Sequence, residues 1–278
     1  MLQTTFLDGR HIAYWEGGDP KGPPVLLVHG LGGDHRGLIG CTTALGSCRL
    51  IIPDLPGYGL SAPLQTTHSL QAYADFLDTF RAQLDIERLA VLGHSFGAAI
   101  ALTYAASYPK RLTKLILLNP VVGASHSRST RLGTLYMTIA CLFPERIAHA
   151  LVCNKAAVYV TDRAVMTRGG KPYRKKILRE DYTNYRRASV RAMQEGIASL
   201  AHTTIRTLTP QAHVATYIIA GKKDTVSSMA ESNQLATALA AQYTVIDEGG
   251  HLYPLEDPDH ASMLVQQFLN GKPLPKIV

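Results

Sequence analysis

The segment Gly93-His94-Ser95-Phe96-Gly97 joins an apolar run, RLAVL, to a stretch of helical composition, SFGAAIALTYAASY. G-x-S-x-G at a strand-to-helix junction makes a tight turn that lifts the serine hydroxyl into the open. Beneath it lies a helix N-terminus, whose dipole favours developing negative charge. A serine hydroxyl is a weak nucleophile until a neighbouring base takes its proton, and that base needs an orienting acid. After a turn of this kind the acid comes next in the chain and the histidine last. Asp224, after YIIAGKK, and His251, after YTVIDEGG, satisfy that order. Alone, the first reads as a turn residue and the second as a loop histidine. Together with Ser95 they form a candidate triad. A tetrahedral intermediate also needs backbone donors for its oxyanion. The Phe96 amide is one candidate. The Leu31 amide, inside His29-Gly30-Leu31-Gly32-Gly33, is the other, because flanking glycines let the backbone approach a ligand closely. His29 itself reads as a packing residue of that loop.

These groups can meet only if the runs that carry them lie in one sheet. VLLVH (25–29), RLIIPD (49–54), RLAVLGH (88–94), KLILLNP (114–120), ATYIIAG (215–221) and QYTVID (242–247) are rich in Val, Ile and Leu without polar alternation. Strands covered on both faces of a parallel sheet read this way. Helical stretches at 69–84, 95–108 and 227–242 separate them, and a last helix is expected to start at Asp257-Pro258, with the aspartate as N-cap. Asp8-Gly9 between alternating segments predicts an antiparallel hairpin at the sheet edge. The fold class is α/β, a mostly parallel central sheet with helices on both faces.

The strand–helix alternation stops after Pro120 and resumes near Ala215. Residues 1–121 and 209–278 read as the core, and 122–208 as a helical cap inserted into it. Within the cap, the apolar run Leu132–Phe143 is expected to pack onto the core or to line an acyl pocket over Ser95. A single long basic helical run is expected from about Tyr173 to Thr204. The cap holds fifteen Lys and Arg against five Asp and Glu, so it carries more than the whole net charge of +7.

Five motifs now stand in order, and together they resemble the α/β-hydrolase superfamily over nearly the whole chain. His29-Gly30-Leu31-Gly32 resembles its oxyanion loop, and Asp54-Leu55-Pro56-Gly57-Tyr58-Gly59-Leu60-Ser61 its D-x-x-G-x-G-x-S loop. Gly93–Gly97 resembles the elbow, Gly221-Lys222-Lys223-Asp224 the acid loop, and Gly250-His251 the histidine loop. The resemblance implies Ser95, Asp224 and His251 as triad. Some members place the acid where this chain has Asn119, which cannot stabilise an imidazolium by charge; Asp224 is the better candidate. Members that cleave epoxides or carbon–halogen bonds use an aspartate nucleophile, which Ser95 replaces. The acid loop, Asp224-Thr225-Val226-Ser227, lacks the proline often found just after the acid.

Other features carry less. Gly57-Tyr58-Gly59-Leu60-Ser61-Ala62 fits G-x-G-x-x-A, but Pro63 stands where a dinucleotide-binding helix should open. His251, Glu256, Asp257, Asp259 and His260 resemble a ligand set, yet one catalytic histidine before an acidic helix start accounts for them. Arg168, Lys171, Arg174, Lys175, Lys176 and Arg179 are ordinarily a solvated helix face; adsorption to an anionic membrane surface or attraction of anionic substrates are the functional options. No aromatic-interleaved or groove-reading motif points to a nucleic-acid partner. Four cysteines without C-x-x-C spacing leave a Cys41–Cys48 bridge open but fit a reducing, cytoplasmic setting, and no secretory signal or spanning stretch is visible.

The expected activity is hydrolysis of short- to medium-chain carboxylic or monoacylglycerol-like esters through an acyl-enzyme, needing no metal or organic cofactor. The same triad could serve a lactone, a thioester or a carbon–carbon bond, and a small-molecule receptor could retain the fold. The oligomeric state is not legible.

Overall fold

The computed structural model describes residues 1–123, 135–166, 171–208 and 214–278. Eight strands form one sheet: β1 (Leu2–Leu7), β2 (Arg10–Gly18), β3 (Pro24–Val28), β4 (Arg49–Pro53), β5 (Leu89–His94), β6 (Leu112–Leu118), β7 (Thr216–Gly221) and β8 (Gln242–Ile246). Their order is β1-β2-β4-β3-β5-β6-β7-β8. The β1–β2 and β2–β4 pairs are antiparallel, and every pair from β4 to β8 is parallel. The edge hairpin turns at Asp8 and Gly9, both with positive φ (48° and 74°), the backbone that an Asp-Gly pair tolerates at low cost.

The lack of polar alternation in the central strands has the expected cause. Leu89 and Val91 of β5 face one apolar layer, while Ala90 and Leu92 face the other. The first layer is built with α1 (Leu70–Gln83), α2 (Phe96–Ser107) and α7 (Met229–Leu239), the second with α8 (Pro258–Leu269). Each large apolar side chain enclosed there contributes about 1.5–3 kcal/mol. Local signals set the helix starts: the Ser69 hydroxyl accepts from Ala72 N–H, and Ser228 with Glu231 completes a reciprocal capping box. The last helix begins at Pro258 as expected, but the Asp257 side chain makes no capping hydrogen bond. Its backbone carbonyl accepts from Ala261 instead. All four cysteines are free thiols, so Cys41 and Cys48 are not bridged.

Between β6 and β7 the described chain is helical: a turn-and-a-half over 135–140, then α3 (Glu145–Val152), α4 (Lys155–Val165), α5 (Lys171–Arg187) and α6 (Val190–Ala201). The single basic helix expected from Tyr173 to Thr204 is therefore two. The break falls at Ala188-Ser189, where the Ser189 N–H leaves the helix to donate to the Gly57 carbonyl (2.7 Å) and its hydroxyl caps α6 through Ala192 N–H. A tertiary acceptor in the core outweighs one more turn of helix. Glu195 on α6 accepts from the His68 N–H and Nδ1–H at 2.8 and 2.7 Å, and Ser199 Oγ accepts from Leu70 N–H. α6 is thus bolted to the core next to the elbow helix.

The apolar run Leu132–Phe143 differs from expectation. Residues 132–134 lie outside the described residues. Beyond them Met137 and Ala140 are buried, whereas Leu135, Tyr136, Ile139, Leu142 and Phe143 are exposed to solvent. Of the basic run, Arg168 and the side chains of Lys171, Arg174 and Lys176 lie outside the described residues; Lys175 and Arg179 are exposed, as a solvated face requires. Among the described residues, no helix is long and apolar enough to cross a membrane.

Candidate active site

Three loops at the C-terminal edge of the parallel strands converge. Ser95 follows β5, Asp224 follows β7 and His251 follows β8. Ser95 is held at φ 55° and ψ −117°, outside the ordinary regions for a residue with a side chain. The turn is closed by Ser95 N–H donating to the Leu118 carbonyl and Ala98 N–H to the Ser95 carbonyl, both 3.0 Å. Both flanking glycines are required by space. A Cβ at Gly97 would lie 2.2 Å from the Val28 carbonyl oxygen, and one at Gly93 would lie 2.4 Å from the Gly97 carbonyl oxygen.

The side chains predicted to act together do meet. Ser95 Oγ lies 2.8 Å from His251 Nε2, and His251 Nδ1 lies 2.8 Å from Asp224 Oδ2. An ionised carboxylate only accepts, so Nδ1 carries the proton and Nε2 is free to accept from the serine hydroxyl. Asp224 is anchored without a proline: its Oδ1 accepts from Val226 and Ser227 N–H, and its Oδ2 from Ser227 Oγ. A proline at 226 would remove one of these donors. Burial alone would raise the Asp224 carboxyl, but the charge and hydrogen bond of His251, with the Ser227 and Val226 donors, hold it below the usual carboxylate range.

Two further residues hold the histidine loop, and spacing alone did not single them out. Asn119, at the end of β6 with φ 44°, donates through Nδ2 to the carbonyls of Gly250 (2.9 Å) and His251 (2.8 Å). Its Oδ1 accepts from Gly221 N–H at 2.7 Å, so one amide ties the acid strand to the histidine loop. His94 Nε2–H donates to the same His251 carbonyl at 3.0 Å. Burial, then the nearby His251, push the His94 imidazole down to about 4, so it remains a neutral donor. Asn119 was legible only as a position that some family members fill with the acid. That its amide faces two loops distant in sequence was not.

The oxyanion candidates lie at the nucleophile. Phe96 is the first residue of α2, so its N–H is among those without an intrahelical acceptor. A Cβ on Gly30 would fall 3.3 Å from the Ser95 Cβ, which places Leu31 one residue from that contact. The loop is pinned behind: His29 Nε2 accepts from Leu55 N–H at 3.0 Å while Nδ1 donates to the Gly30 carbonyl at 2.8 Å. His29 is buried and its imidazole pushed down by that burial, as a packing residue's would be. Asp54 supports the next turn, accepting from His35 N–H and Nδ1 and from Leu60 N–H. Gly59 sits against it so closely that a Cβ would lie 2.2 Å from its carboxylate.

Among the described residues, one group could bring three metal-ligating atoms together: Asp34, His35 and Asp54, all buried, within 4.8 Å. It is distinct from the group around His251, which the sequence reading explained without a metal. Its oxygens already have donors, since the Arg36 guanidinium holds Asp34 (Nε to Oδ2, 2.9 Å) and His35 holds Asp54. The donor set fits an ion-pair network that braces the oxyanion loop.

The same architecture recurs in known proteins. A thermophilic esterase from Thermogutta terrifontis superposes with a TM-score of 0.77 at 22% identity, covering 97% of each chain. Lipase 1 of Psychrobacter immobilis is 35% identical over 117 residues, 41% of this chain and 37% of that protein. An uncharacterized protein of Mycobacterium tuberculosis is 35% identical over 100 residues, 36% of this chain and 29% of that one. The matches thus span about a third of the length of these curated relatives. The family model described as the alpha/beta hydrolase fold matches residues 23–258, and the chain belongs to that family.

Proposed function

We propose that this protein is a serine hydrolase that cleaves carboxylic esters through an acyl-enzyme. The observation that carries the reading is the continuous hydrogen-bonded line from Ser95 Oγ through His251 to Asp224, 2.8 Å at each step. His251 Nε2 takes the hydroxyl proton as Ser95 Oγ attacks the carbonyl carbon. Asp224 stabilises the imidazolium so formed. The Leu31 and Phe96 amides receive the oxyanion, each worth about 3 kcal/mol in the transition state. His251 then protonates the leaving alcohol, and water enters by the same route to release the acid.

The helical segment 122–208 acts as a cap over this centre. The lipase among the similar proteins supports an ester as the bond cleaved; short- to medium-chain acyl esters or monoacylglycerol-like esters are the class proposed. Four free thiols support a reducing, cytoplasmic setting.

The test is active-site labelling with a fluorophosphonate, with wild type and Ser95→Ala side by side. Labelling of wild type alone is the expected result, and undiminished labelling of Ser95→Ala removes Ser95 from its role. An acyl-length series of p-nitrophenyl esters then fixes the substrate class; turnover confined to acetate, or to lactones or thioesters in parallel assays, overturns the assignment of substrate. Saturable ligand binding without turnover overturns the enzymatic reading itself.

A further inference from the structure

The insertion presents an apolar face that stays open among the described residues. On the helical segment over 135–140 and the turn after it, Met137 and Ala140 point into the core cluster. Leu135, Tyr136, Ile139, Leu142 and Phe143 recur at the spacing of a single helix face on the other side, and all are exposed, Leu142 by 79%. Ile147 on α3 is exposed as well. The Tyr136 hydroxyl donates to the Leu151 carbonyl at 2.6 Å, which fastens this segment along α3. Large apolar side chains gathered on the open side of a segment whose other side is packed have no reason to face water unless that side has a partner. Monomers rarely leave more than a few hundred Å² of contiguous apolar surface open, and large side chains in one stripe are how an interaction surface reads.

Charge decides which partner. Between residues 135 and 160 the only acidic residue is Glu145, whereas Arg146 and Lys155 are both exposed. His149, one turn along α3 from Arg146, lies 3.1 Å from the Arg186 carbonyl through Nε2, which brings the exposed Arg186 and Arg187 to the same flank. An apolar ridge with aromatic residues in it and cations beside it matches an anionic bilayer: the ridge enters the acyl boundary and the cations meet lipid phosphates. A second copy of the chain would set two strongly basic caps against each other. We propose that the 135–147 face docks the protein on anionic lipid surfaces and thereby delivers membrane-borne substrate to the cap.

The experiment is co-sedimentation of the full chain with vesicles of phosphatidylcholine alone or with about 30 mol% phosphatidylglycerol, at low and high salt. Wild type is expected to partition at least about tenfold more strongly onto the anionic vesicles, and less at high salt. Leu142→Asp with Phe143→Asp, at solvent-facing positions, should lose at least about tenfold of that binding yet hydrolyse a water-soluble ester as wild type does. Ser95→Ala should bind like wild type, which separates this surface from the catalytic reading. Three results overturn the proposal: wild type remaining in the supernatant, equal partitioning onto both vesicles, or the double variant binding undiminished. A fourth is a dimer in sedimentation velocity that the double variant dissociates, which would assign the face to self-association.

Discussion

Asn119 shows what a single amide can do for a histidine it never touches through the ring. Its three hydrogen bonds join the end of β7 to the carbonyls of Gly250 and His251. Asn119→Ala should leave the sheet intact but let the imidazole drift. A misplacement of about 1 Å costs on the order of 10²-fold in turnover, read as a fall in kcat with near-normal KM for a small ester. Asp224→Asn probes the tautomer instead. An asparagine amide at that position favours the wrong protonation of His251, and kcat should fall by about 10⁴ while the far-ultraviolet circular dichroism stays unchanged; near-normal turnover would point to another acid. The residues proposed to perform chemistry, which the structure brings together, were legible because their types are scarce in the pattern: Ser95 between two glycines, then an aspartate and a histidine after apolar runs. Residues that position them were not, because Asn119, His94 and Ser227 act through contacts with segments remote in sequence.

At the scale of elements, the strands were legible because burial on two faces leaves its mark on every side chain of a run. The cap was read less well. Its basic stretch looks continuous in sequence, yet it divides at Ser189, whose N–H serves Gly57 in the core. Such a break is visible only once the partner loop is in place. The packing of α4 against α5 suggests a pH-dependent property. Asp162 on α4 is 4% exposed, and one of its carboxylate oxygens has no hydrogen-bond partner among the described residues. Burial, and the Asp181 carboxylate of α5, push its carboxyl up. A carboxyl raised on folding binds more protons folded than unfolded, so its contribution is retained below the ordinary carboxylate range and lost as pH rises through the raised value. Asp162→Asn should therefore raise Tm at pH 8 by clearly more than at pH 5, measured by calorimetry. An equal shift at both pH values would rule out titration as the cause.

Over the whole molecule, the proposed chemistry and the proposed attachment occupy different parts. The triad sits on loops of the sheet, while the net positive charge and the open apolar face belong to the insertion. Within the insertion, α6 is fixed to the core by Glu195, Ser199 and Ser189. One consequence follows from the backbone of Ser95. A left-handed serine costs about 1–3 kcal/mol, and a glycine there would relieve it at an entropic penalty of roughly 0.5–1 kcal/mol. Ser95→Gly should accordingly melt about 1 kcal/mol later than wild type in chemical denaturation while hydrolysing nothing. A sturdier version of this chain is thus expected to be a sterile one, because the same tension holds the Ser95 oxygen out where a substrate would meet it.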